Sequence, residues 1–309
     1  MNVPPIILSM IPKVKADKLI KIYFQICDKY EKELKFTCMR FSNNDEPEFT
    51  DQEAMTIYLF CINQEQRMKI KQIHSFASDY LRSWFPLLPS YSAFNNRINR
   101  LSEAFKQFAS SLLSDYKPEE CSKDESLLDS LPIITCSGKR SAKVAREITD
   151  KGYCSTKSMY YYGLKLHALA YKNTNKLPFP EQLLITPASE NDLNVFRNAW
   201  DVIENRTFYG DKIYHNNEYF YNLSNSKNSV MLTPIKAVKG HSDWDKNFDR
   251  AYNDLFSKAV STVRQPIEAL FNWLIEKTDF QRASKIRSTA GLMVHVFGKI
   301  SAAFISLIF

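Results

Sequence analysis

From Lys13 to about Tyr116, apolar residues recur at three- and four-residue spacing in ADKLIKIYFQICDKYEKEL, TDQEAMTIYLFCINQEQRMKI and SEAFKQFASSLLSDY. That spacing lines one face of a helix, so the first third of the chain reads as a helical bundle. Thr50, with Glu53 three residues on and an apolar-periodic run behind it, is a capping-box start. Ser92, after Pro89, opens a further helix in SAFNNRINRLSEAF. Around residues 117–126 the chain turns polar and Pro118 discourages a continued helix, which sets a boundary between a helical domain, 1–120, and a second domain, 121–309.

Beyond the boundary the pattern changes to short runs rich in Ile, Leu, Thr, Tyr and Phe: SLLDSLPIITC, YYYGLKLHALAY, EQLLITPA, TFYGDKIY and SVMLTPI. These predict five strands of one sheet. DLNVFRNAWDVIENR, capped by Asn191 or Asp192, is a helix between the third and fourth, and long helical patterns run from Trp244 to the end. Strands that first follow one another and then alternate with helices predict a mixed α/β sheet flanked by helices. Met293–Phe309 is strongly apolar, but His295 and Lys299 interrupt it and it falls short of a bilayer span, so it reads as a buried core helix.

Composition places the chain among folded globular proteins: 44% apolar, 24% charged, 13 Pro and 7 Gly in 309 residues. Lys and Arg outnumber Asp and Glu by 41 to 34, a surplus that suits a polyanionic partner. Six scattered cysteines with no CxxC pair disfavour a zinc ribbon or a disulfide framework and read as reduced thiols, and the N-terminus lacks the pattern of a secretory signal, so a cytoplasmic protein is expected. There is no P-loop, dinucleotide glycine fingerprint, GxSxG elbow or HExxH.

Three acids stand in apolar surroundings. Asp129 lies between Leu127–Leu128 and Leu131–Ile134, Asp211 follows Gly210 in the fourth predicted strand, and Glu268 sits among Ile267, Leu270, Phe271 and Leu274 on a helical pattern. A carboxylate in a core strand needs a cation, so these are candidates for a shared divalent-ion site; a turn residue or salt-bridge partner gives the same pattern at any one position. Arg264 is four residues before Glu268, close enough to hold it or to grip a phosphate. Pro266 between them suits a helix that begins there.

Basic residues concentrate at Lys139, Arg140, Lys143, Arg146, Lys151, Lys157, Lys165 and Lys172, interleaved with Tyr153, Tyr160, Tyr161 and Tyr162. Cations among aromatic faces suit a nucleic-acid backbone with exposed or distorted bases, although the tyrosine run is also a strand. His167 reads as a structural strand histidine, or as a site residue if it points the same way as Lys165. In the first domain Asn95, Asn96, Arg97, Asn99 and Arg100 line one helix face, side chains able to read base edges or simply to be solvated.

The order LLDSLPIITC, KGYCSTKSMYYYGLKLH, LLITPASENDLNVF, FYGDKIY and VRQPIEALFNWL resembles the catalytic domain of bacterial insertion-sequence transposases of the DDE type, over roughly 121–309. The resemblance implies an RNase H-like fold with a mixed five-stranded sheet, and it implies Asp129, Asp211 and Glu268 as the catalytic, metal-holding triad. Two Mg²⁺ ions, with Mn²⁺ as substitute, would serve cleavage and strand transfer. It implies double-stranded DNA as partner, both transposon terminal inverted repeats and target, and a homodimer or larger assembly that brings two ends together. Lys139, Arg140, Lys143, Lys165 and Arg264 are the expected phosphate contacts in the second domain, and Asn96, Arg97 and Arg100 those of an N-terminal DNA-binding domain. Asp211-Lys212-Ile213-Tyr214 departs from the Lys-Gly-Tyr or Lys-Ala-Tyr turn common after the second Asp, and 236–251 mixes acids and aromatics with its Lys and Arg where a strongly basic stretch suits DNA. An RNase H-like nuclease without strand transfer and a non-catalytic DNA-binding protein are the alternatives.

Overall fold

The computed structural model describes residues 11–40, 47–140, 142, 144–174, 176–215, 217–235 and 242–308. In chain order it contains α1 (Lys13–Lys29), α2 (Lys35–Cys38), α3 (Asp51–Glu65), α4 (Ile70–Tyr80), α5 (Tyr91–Arg100) and α6 (Ser102–Asp115). Then come β1 (Cys121–Ser137), β2 (Asp150–Cys154), β3 (Met159–Asn173), β4 (Phe179–Pro187), α7 (Asp192–Ala199), β5 (Thr207–Tyr209), α8 (Asn217–Lys227) and β6 (Val230–Leu232). The chain ends in α9 (Asp243–Arg264), α10 (Pro266–Thr278), α11 (Thr289–Met293) and α12 (Lys299–Ile308). The described residues form two compact units, Met1–Tyr116 with Leu274–Phe309, and Lys117–Trp273. The sequence pattern drew one boundary near 120 and kept the C-terminal helices with the sheet; contacts group 274–309 with the N-terminal helices instead.

In the first unit, α3 is buried from Ala54 to Ile62 and forms the centre of the bundle. Its start is the expected capping box: Thr50 Oγ1 accepts from Glu53 N, and Glu53 Oε2 accepts from Thr50 N at 2.6 Å. Ser90, not Ser92, caps α5, and Leu101 separates α5 from α6. A π-helical turn, Val294–Gly298, joins α11 to α12, so Thr289–Ile308 is one stretch long and apolar enough to cross a bilayer. Most of it is buried instead, with Asn63 Nδ2 donating to Ala302 O at 2.7 Å. Its two polar interruptions are satisfied by backbone: His295 Nε2 lies 2.7 Å from Phe280 O and Lys299 Nζ donates to Asp279 O at 3.0 Å. Burial pushes His295 down to about 3 and Lys299 down to about 8.

The second unit is built on a mixed sheet of six strands, not five. The extra strand is β2, whose five residues DKGYC carry no apolar alternation. β1 pairs antiparallel with β3, and β3 in turn with β2 at one end and β4 at the other. β5 joins the other edge of β1 in parallel, and β6 pairs in parallel with β5. One sheet face carries Leu128, Leu169 and Phe208 against Val195, Phe196 and Trp200 of α7 and the region that follows, with Phe220 and Leu223 of α8. Side chains alternate between faces along a strand, so Asp129 points to the face opposite Leu128.

Candidate active site

The parallel ladder of β1 and β5 brings two of the acids near each other. Glu125, Ser126 and Leu127 pair with Thr207, Phe208 and Tyr209, where the ladder ends, and Asp211 lies two residues beyond, near enough for its charge to act on the Asp129 carboxyl. Gly210 permits the turn that follows: a Cβ there would lie 2.6 Å from Tyr214 Cδ2. Asp211 then caps the 3-10 turn Lys212–Tyr214 by accepting from Lys212 N at 2.7 Å, and it is exposed.

Asp129 Oδ1 accepts from Ser130 N at 2.8 Å, and its Oδ2 accepts from Arg264 Nη1 at 2.9 Å. Burial pushes its carboxyl up to about 6, Asp192 and Asp211 add to the rise, and Arg264 and the Ser130 N–H oppose it. Arg264 is the last residue of α9, and α10 begins at Pro266 as its position predicts. Across this break Arg264 Nη2 donates to Glu268 Oε1 at 2.6 Å. The glutamate is half exposed, at the margin of the helix face that buries Ile267, Leu270 and Phe271. Burial works against the charge on Arg264, but Asp129, Glu268 and Asp211 together raise its pKa.

Sequence reasoning offered Asn191 or Asp192 as the cap of α7; Asn191 is the cap, accepting from Leu193 N at 2.9 Å, and the buried partners of Asp192 were not anticipated. Asp192 Oδ1 accepts from Lys165 Nζ at 3.0 Å, and Oδ2 from Ser130 Oγ at 3.0 Å. His167 Nδ1 lies 3.4 Å from the same Oδ1, and its Nε2 is 2.8 Å from Thr186 Oγ1. Lys165 and His167 do point the same way, as strand alternation requires, but toward this buried acid on the far face from Asp129. Lys165 also donates to Glu190 O at 2.7 Å. Burial pushes His167 down to about 4, leaving a neutral ring.

The other expected DNA contacts divide. Lys139 and Arg140 are exposed in the turn after β1, and Asn96 is exposed on α5. Lys143 lies outside the described residues. Lys165 and Arg264 are engaged by carboxylates. Arg97 and Arg100 converge with Arg40 on the buried Asp51, Arg100 also donating to Cys38 O at 2.9 Å. Their spacing on α5 gave no sign of that partner, which lies at the start of α3.

The donor set suits a hard divalent cation: carboxylate oxygens, one of them partly buried and raised by that burial despite Arg264. In the arrangement described, Arg264 is the cation between Asp129 and Glu268, and among the described residues no three His, Cys, Asp or Glu side chains converge as a metal site. No family model, curated protein or solved structure matches the chain.

Proposed function

We propose that the chain is a DDE-type DNA transposase that binds insertion-sequence ends in the bacterial cytoplasm, cuts them and joins them to target DNA, working as a homodimer or larger assembly. The observation that carries this reading is that three acids far apart in sequence, Asp129, Asp211 and Glu268, all act on one guanidinium, Arg264. Asp211 follows β5, the parallel neighbour of the strand that carries Asp129, two residues past its last pairing, and Arg264 links Asp129 to Glu268. The motif blocks of the resemblance and the mixed sheet support an RNase H-like domain.

Asp129, Asp211 and Glu268 would hold Mg²⁺ or Mn²⁺, which when bound polarises the scissile phosphodiester and the oxygen that attacks it. The chain's own residues do the rest. Asp129, fixed on the longest strand and held by Ser130 N, gives the site a rigid centre. Arg264 keeps the acids apart from one another's charge, and once they are otherwise neutralised its guanidinium is free to take a phosphate oxygen. Lys139 and Arg140 remain exposed for backbone contacts, where losing one lowers affinity and flattens its salt dependence.

Arg264's hold on both acids is the observation that favours the non-catalytic alternative. One experiment separates the readings: purified protein with Mg²⁺ or Mn²⁺ and a duplex carrying the inverted repeats that flank its own gene, wild type against Glu268→Gln. Joined product lost in the variant supports the transposase. Cleavage without joining supports a nuclease, and binding without cleavage, equal in both proteins, supports a DNA-binding protein.

A further inference from the structure

Two tyrosines on the β2–β3 hairpin are displayed where packing alone gives no reason for them. Tyr153 and Tyr160 face each other across the ladder, their ring centroids 5.0 Å apart, and are 54% and 58% exposed. Their neighbours on the other face are packed: Tyr161 and Cys154 are buried with Ala188. The hairpin is therefore anchored from beneath and holds its two aromatic rings in solvent.

Cations surround this pair. Lys151 Nζ lies 5.0 Å from the centre of the Tyr160 ring. Gly138 N donates to Tyr160 O at 2.8 Å, and a Cβ on Gly138 would lie 2.5 Å from Tyr160 Cβ, so the turn bearing the exposed Lys139 and Arg140 is fastened directly against the tyrosine. Of the nearby acids, Asp150 is engaged by Ser189, whose backbone N donates to it at 2.8 Å and whose hydroxyl donates to it as well. Aromatic faces beside Lys and Arg suit bases that are out of a duplex, because each base offers a ring face and brings a phosphate.

The platform also shares a sheet face with the candidate active site. Ala168 pairs with Asp129, and Tyr160 lies an even number of residues along β3 from Ala168, so alternation turns Tyr160 and Asp129 the same way. The separation along the strand is about 26 Å at ~3.3 Å per residue, roughly eight base steps of duplex.

We propose that Tyr153 and Tyr160, with Lys139, Arg140 and Lys151, bind unpaired nucleotides of a DNA end by stacking. This rests on the reading of the protein as one that acts on DNA. The test compares a blunt duplex with the same duplex bearing a single-stranded 3′ tail, by fluorescence anisotropy and by quenching of 2-aminopurine in the tail. Wild type should prefer the tailed DNA by about tenfold or more. Tyr153→Leu/Tyr160→Leu should bind both DNAs alike, with blunt-duplex affinity and thermal midpoint unchanged, while Tyr160→Phe keeps the preference and the quenching. A preference that survives in the double variant, or no preference in wild type, overturns the platform. Failure to bind either DNA overturns the platform and the proposed function together. A tyrosine-dependent preference in a protein that yields no joined product upholds the platform and sinks the transposase.

Discussion

Arg264 Nη1 donates to Asp129 Oδ2 across 2.9 Å, joining the end of a long helix to a strand more than a hundred residues earlier. Both side chains keep some exposure, 14% and 23%, so this pair sits between a surface ion pair and a buried one. Arg264→Met leaves the Asp129 carboxylate without its cation. We expect a loss of roughly 2–3 kcal/mol at pH 7.5, below the 3–5 kcal/mol of fully buried pairs because water reaches this one. The loss should shrink near pH 4, where Asp129 is protonated, and Asp129→Asn should recover most of it in the double variant. Denaturant melts at the two pH values check this; an equal loss at both would show that packing, not charge, is what Arg264 supplies.

Asp129 itself is held against its preference. Its folded value of about 6 lies above the ordinary 3.8, so the folded state binds more protons in that interval and stability falls as pH rises from about 4 to 6. Asp129→Asn should therefore be more stable than wild type at pH 7.5, by on the order of 1–2 kcal/mol, and should lose that advantage near pH 4. The same variant should give no joined DNA product. A carboxylate retained at a cost in stability is what a functional site requires. Equal melting midpoints for both proteins across this range would remove that argument.

Legibility in the sequence followed the range of the interactions. The N-terminal helical bundle, the capping box at Thr50 and the start of α10 at Pro266 are set within a few residues, and local pattern was enough to find them, whereas α8 between β5 and β6 was missed. Asp129, Asp211 and Glu268 stood out because carboxylates amid apolar runs are costly wherever they occur. Partner choice was not legible. Nothing in the spacing of Arg97 and Arg100 says that Asp51 will take them, or that Lys165 will be spent on Asp192. β2 escaped notice because DKGYC is held by its ladder to β3 and not by an apolar face of its own.

The capping box gives a prediction confined to the helical unit. Thr50→Ala removes the acceptor for Glu53 N and loosens the reciprocal bond to Thr50 N at 2.6 Å. Because α3 carries the buried core from Ala54 to Ile62, the loss should appear in global unfolding as about 1 kcal/mol, with Thr50→Ser close to wild type. A loss equal in Ser and Ala would mean that the methyl group matters and the cap does not.

His167 carries the last prediction, and its sign is opposite to that of Asp129. Burial holds its folded value near 4, below the ordinary 6.5, so the unfolded chain binds more protons between those values. Its contribution to stability is present above pH 6.5 and is lost as pH falls toward 4. Asp192, 3.4 Å away, pulls the ring toward protonation, but Lys165 already occupies that carboxylate at 3.0 Å and pushes the other way. Imidazole ¹⁵N shifts should report a neutral ring at pH 5.5, and His167→Gln, able to keep a bond to Thr186, should flatten the acid limb of the stability curve. Between pH 4 and 6 the slopes from His167 and Asp129 oppose each other, so wild type alone conceals both. They emerge as differences: Asp129→Asn gains on wild type as pH rises through that interval, and His167→Gln gains on it as pH falls. A charged His167 at pH 5.5 would mean that Asp192 outweighs burial and that Lys165 does not hold it.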